Sequence, residues 1–242
     1  MAAPALWCGM SKVHFVGGDK GGVGKSVVAR VLVAWCAERG LPFRAFDADG
    51  SHGALLRHYP GQAKGIDLAD VEQADKVLAA AEALPEGRVI VDLPARGDGA
   101  IAAWLAEGGI ASLAAEMGVG LVFWHVMDDG KDAISALARS LDRHPPPARH
   151  VVVENLGRGF RFALFDQSAA RAAADAAQVP IIQFPELHPP LMRKIDRSDA
   201  SFADALGESP PGGMLSPPER QRLKLWLKAC FDQLARLGPD AI

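Results

Sequence analysis

The chain has 242 residues, 49% of them hydrophobic and 23% charged, which fits one large α/β domain with a sizeable core better than two domains. A net charge of −3 excludes a globally basic nucleic-acid binder, so any grip on phosphate backbones must come from a local patch. Three scattered cysteines, Cys8, Cys36 and Cys230, form no C-x-x-C pair, which excludes a zinc ribbon, a disulfide framework and an iron–sulfur ligand set.

That cysteine usage fits a reduced, cytoplasmic compartment. Residues 1–11 read as a disordered leader: they are apolar but carry no basic n-region, a poor signal peptide, and Met10 could itself be the start. No stretch reaches ~18 uninterrupted apolar residues, so no membrane-spanning helix is expected. The remaining 12–242 are expected to form a single domain.

From Lys12 onward, short β-branched or apolar runs alternate with Ala/Leu-rich stretches of helical period. This predicts βαβ units: an α/β fold with a mostly parallel, twisted sheet and helices on both faces. A strand at Val13–Val16 leads through a Gly-rich turn into a helix from Lys25 to Glu38, stopped by Arg39-Gly40. A strand at Phe43–Phe46 precedes a less regular region, Ser51 to Ile66, and a helix over Leu68–Leu84. A strand at Arg88–Val91 ends at Asp92, and another spans Gly120–Val126. Asp128-Asp129 reads as the N-cap of a helix running to Leu141. His144-Pro145-Pro146-Pro147 is a stiff loop. Strands follow at His150–Val153, leading into Glu154-Asn155, and at Val179–Gln183; helices at Ser201–Leu206 and Pro218–Leu237 close the chain.

The chemistry concentrates in Asp19-Lys20-Gly21-Gly22-Val23-Gly24-Lys25-Ser26, between a strand and a helix. Glycines let the backbone curl so that several N–H groups face phosphate oxygens, and the helix N-terminus adds its positive end. Lys25 would neutralise β- and γ-phosphates, and the Ser26 hydroxyl would ligate magnesium. Asp19 stands where the ordinary G-x-x-x-x-G-K-[ST] loop has its first glycine, so the sequence is the K-G-G-x-G-K-[ST] variant.

That loop resembles the deviant Walker A motif of the ParA/MinD ATPases. The resemblance implies that Lys20 reaches across a two-fold interface to the partner's nucleotide, supplying the charge an arginine finger supplies elsewhere. Phe46-Asp47-Ala48-Asp49 resembles the family's D-x-D, which implies Asp49 as the carboxylate that places the attacking water and Asp47 in the magnesium shell. The family often continues with Pro-Gln; here the chain reads Gly50-Ser51-His52-Gly53. Val89-Ile90-Val91-Asp92-Leu93-Pro94 resembles Walker B and switch II, with Asp92 holding a magnesium-bound water. Asp98, beyond it, also reads as a helix N-cap. No guanine signature follows the strand at 150–153, and the resemblance implies ATP, with the Asn155 amide on the adenine edge and the loop around Pro185 against the base.

The last helix carries Leu223, Trp226, Leu227, Cys230, Phe231, Leu234 and Leu237 at helical spacing, with basic residues elsewhere. Packing on the sheet is favoured over a membrane-surface role. Arg193, Lys194 and Arg197, with Arg158 and Arg161, form a candidate patch for non-specific DNA in a dimer.

The expected function is therefore an ATP-dependent, dimerising ATPase with a protein activator, positioning or partitioning DNA or another cargo. The alternatives are an accessory ATPase of plasmid mobilisation or conjugative transfer, and a metabolic or redox enzyme on the same fold. Nitrogenase-type reductases need paired cysteines, which this sequence does not have near switch II.

Overall fold

A computed structural model describes residues 10–18, 20–50, 53–207, 214–238 and 242. Cys8, Asp19, Ser51, His52 and most of the leader lie outside the described residues.

The sheet is seven-stranded and its described pairs are all parallel. Its strands are β1 (Lys12–Gly17), β2 (Phe43–Asp47), β3 (Ala63–Gly65), β4 (Arg88–Asp92), β5 (Gly120–Met127), β6 (Arg149–Asn155) and β7 (Ile181–Phe184). Their order across the sheet is β3-β2-β4-β1-β5-β6-β7, which places β1 between β4 and β5. Strands buried on both faces read as near-continuous apolar runs, and β4 and β5 are buried at every position.

Side chains alternate between two cores. Val16, Ile90, Val122 and Trp124 face one, covered by α1 (Lys25–Glu38), α9 (Pro189–Ser198), α10 (Phe202–Leu206) and α11 (Pro217–Ala235). Val13, Phe15, Val91 and Phe123 face the other, covered by α3 (Val71–Glu82), α4 (Asp98–Ala106) and α5 (Ile110–Glu116). A smaller core joins α6 (Lys131–Arg143) to α7 (Ala163–Asp166) and α8 (Ala169–Ala176).

The apolar stripe of α11 packs inward, with Trp35 and Phe231 edge-to-face at 5.4 Å and Phe202 and Trp226 at 5.3 Å. Ser216 and Glu219 form a capping box at its start. No described helix is long and apolar enough to cross a membrane.

Several elements differ from the sequence expectation. The irregular stretch after β2 contains α2 (Ala54–His58) and the edge strand β3, both too short for periodicity to register. Residues 189–198, given no element from the sequence, form α9, which Pro189-Pro190 opens because proline is tolerated in the first turn, where amides have no helical partner. The cap of α6 is Gly130, not Asp128 or Asp129, whose carboxylates are engaged elsewhere. Likewise Gly97, not Asp98, precedes α4.

Candidate functional site

Parallel strands deliver their C-terminal ends to one edge of the sheet, the edge where open α/β sheets bind ligands. Here Val16 of β1 pairs with Asp92 of β4, and Asp92 pairs with Asp47 of β2. The glycine loop leaves β1 at this same edge.

Gly22 and Gly24 take positive φ values of 83° and 102°, which lets the loop curl before α1 begins. A side chain at Gly24 would also collide with the Asn155 amide. That amide donates to the Val23 carbonyl at 2.7 Å, while its oxygen accepts the Gly157 N–H at 3.0 Å. Lys25, buried, folds back so that Nζ donates to the Lys20 carbonyl at 3.0 Å across the loop's mouth. Loop, lysine and Asn155 thus brace one another.

Asp92 is 1% exposed, and neither carboxylate oxygen has a hydrogen-bond partner at ordinary geometry among the described residues. Burial pushes its pKa up to about 7; the Ser26 hydroxyl and the Lys25 charge work against that rise, and the nearby Asp47 and Asp49 charges add to it. An ionisable, buried, unsatisfied oxygen pair beside a hydroxyl is a favourable place for a cation.

Among the described residues no three His, Cys, Asp or Glu side chains converge into a metal cage. Magnesium does not need one, since it keeps several waters and takes one or two carboxylates plus phosphates. Ser26 and Asp92 fit that style of site.

Asp47 is equally buried, but its oxygens accept the backbone amides of Asp49 at 3.0 Å, Leu55 at 2.7 Å and Leu56 at 3.3 Å. It fixes the loop that carries Asp49 and the start of α2. Burial raises its pKa, and those amides oppose the rise. Asp49 sits partly exposed just beyond, its carbonyl accepting the Gly53 N–H at 2.8 Å.

Asn155 and Pro185 line one cleft, with Val27 of α1, Arg158, Arg193 and Trp226 around them. Trp226 pins the Pro185 loop by donating its indole N–H to the Pro185 carbonyl at 2.7 Å. Periodicity marks Trp226 only as a core residue; its polar tip at this cleft is a tertiary fact.

Lys20 points outward, its side chain 51% exposed, and pairs with Asp128 at 3.0 Å. The hydrogen bond and charge of Asp128 raise the Lys20 pKa. Asp129 accepts the amides of Phe160 at 3.0 Å and Arg161 at 3.4 Å, tying the loop after β6 to the loop after β5.

The basic cluster is divided. Lys194 is paired with Glu219 at 2.9 Å, Arg193 borders the Asn155 cleft, and Arg197 lies exposed on α9.

No family model matches the sequence. The chain is 26% identical to Protein MobD of Acidithiobacillus ferrooxidans over 204 residues, covering 83% of this chain and 88% of that one. It is 26% identical to Protein TraL of Escherichia coli over 244 residues, covering 93% and 98%. Among solved structures, the cell-division protein MinD of Aquifex aeolicus aligns with a TM-score of 0.49 at 16% identity, over 92% of this chain and 97% of that one. The septum site-determining protein MinD of Pyrococcus horikoshii, complexed with Mg-ADP, aligns with a TM-score of 0.48 at 17% identity, over 94% and 98%.

Proposed function

We propose that this chain, whose fold and phosphate-loop motifs are those of the ParA/MinD P-loop ATPases, binds magnesium ATP, closes a dimer around it and hydrolyses it. The observation that carries the reading is the buried Asp92 carboxylate beside Ser26 and Lys25, whose oxygens have no hydrogen bond of ordinary geometry among the described residues, at the mouth of a glycine loop.

In this reading the loop amides and Lys25 hold the β- and γ-phosphates, and Ser26 with Asp92, directly or through water, holds the magnesium. Held there, a magnesium ion would supply positive charge to the phosphate oxygens. The base lies in the cleft of Asn155 and Pro185. Asp49 orients a water for in-line attack on the γ-phosphorus; the new P–O bond forms as the bond to the ADP oxygen breaks, giving ADP and inorganic phosphate. Lys20 leaves Asp128 and meets the nucleotide of the second copy, so turnover waits on dimer closure.

The cellular task that fits both relatives is plasmid mobilisation or transfer, towards which the names MobD and TraL point. Positioning or partitioning of DNA shares all of this site chemistry and differs in partner. A plasmid-transfer assay against a plasmid-retention assay, each with a Lys25→Ala chain, separates the two.

The nucleotide site is tested by calorimetric titration. Lys25→Ala and Ser26→Ala should each weaken magnesium ATP binding by more than about tenfold, roughly 1.4 kcal/mol. Unchanged affinity in a folded variant would remove the assignment.

A further inference from the structure

Phe160 is 86% exposed, more than any other large apolar side chain among the described residues. It is flanked by the exposed Arg158 and Arg161, and Leu164, four residues on, is 53% exposed. The turn that displays it is well braced. Asp129 accepts the Phe160 and Arg161 amides, and the Asn155 carbonyl accepts those of Arg158 at 2.9 Å and Gly159 at 3.1 Å. Gly159 packs so closely on Asp129 that a side chain there would lie 2.7 Å from the Asp129 nitrogen. An aromatic held outward by such a turn has little freedom left to lose on binding, the property of an interface anchor.

We propose that Phe160, with Arg158 and Arg161 beside it, is a docking contact for a second copy of this chain on the phosphate-loop face. The inference rests on the ATP-closed dimer proposed above and adds to it the side chain that anchors the closure.

Two observations choose this occupant. The Phe160 turn and Lys20 are held by consecutive carboxylates, Asp129 and Asp128, so the aromatic and the lysine that would cross to the second copy share one rim. Arg158 and Arg161, both exposed, also present two guanidiniums beside Phe160 that a second copy's polyphosphate would meet, while Asp128 and Asp129 carry opposite charge on the same rim. A two-fold contact repeats itself, so one substitution removes the anchor from both sides.

The test uses the full chain as wild type, as Phe160→Ser and as Leu225→Ser, an exposed apolar residue on α11. Light scattering with magnesium ATP should give dimers for wild type and Leu225→Ser, whereas Phe160→Ser should need about tenfold or more higher protein concentration to dimerise. Calorimetry should give Phe160→Ser the wild-type nucleotide affinity, and thermal melting the wild-type midpoint. A wild type that stays monomeric with ATP overturns the dimer reading and this inference with it. A wild type that dimerises while Phe160→Ser dimerises equally well overturns this inference alone. So does a Phe160→Ser chain that dimerises normally but loses binding to a single-stranded oligonucleotide, because an aromatic between arginines would then be a base-stacking platform.

Discussion

Asp98 offers a quantitative test of how the loop after Asp92 is tied to the rest of the fold. It is the first residue of α4, and its carboxylate reaches across to the end of α6. It accepts from Arg143 at 2.8 Å, lies 2.9 Å from His144 Nε2, and meets the Ser140 hydroxyl at 3.4 Å. Burial works to raise its pKa, but the hydrogen bonds from His144 and Arg143, with their charges, outweigh it and bring the group down from 3.8 to about 2. At 1.36 kcal/mol per tenfold, that fall corresponds to about 2.4 kcal/mol; the half-exposed Arg143 trims it to about 2. A carboxyl with a depressed folded-state pKa binds its proton less tightly folded than unfolded. Its stabilisation is therefore complete above its unfolded value and disappears as pH falls through about 2. Asp98→Asn should thus cost about 2 kcal/mol in urea unfolding at pH 7, and the gap to wild type should shrink to roughly half at pH 3. Tryptophan fluorescence can follow both, since Trp104 lies in α4 and Trp124 in β5. A gap that is the same at both pH values, or below about 0.5 kcal/mol at pH 7, would show that the contacts of Asp98 carry no charge-dependent stability.

Two further outcomes concern turnover. Lys20→Ala should bind nucleotide with nearly wild-type affinity, because the Lys20 side chain points away from its own loop, yet should form no ATP-dependent dimer in light scattering; a normal dimer would end the role in trans. Asp49→Ala should leave a long-lived ATP dimer whose phosphate release falls by about a hundredfold or more, in line with loss of the carboxylate that orients the attacking water; normal release would move the catalytic role to another carboxylate, Asp47 first.

The sequence makes the phosphate loop and the strand-end acids legible for a physical reason. Glycines just before Lys25 and Ser26, and apolar runs ending in Asp47 and Asp92, leave few ways to fold a strand–turn–helix unit. Residues that act through tertiary contact are harder to see. Asp128-Asp129 has the composition of a helix cap, yet one carboxylate takes a lysine side chain and the other two amides from a distant loop. Asp98 likewise reads as a cap and instead bridges two helices. Asp47, expected beside the metal, is seen to anchor backbone, a role hidden because α2 is too short for periodicity to register. Trp226 signals only a buried stripe until the Pro185 carbonyl appears against its indole nitrogen.

The position of β1 in the sheet has a consequence for its two loop lysines. Lys20 and Lys25 are five residues apart, but the strands on either side of β1 supply each with a different acid: β4 brings Asp92 within reach of the Lys25 charge, and the end of β5 brings Asp128 to Lys20. One lysine is addressed from the interior and the other from the rim. The strand order thus works as a sorting device that wires two like charges on one short loop to separate circuits, which in the proposed function would hold phosphate and meet a neighbour respectively.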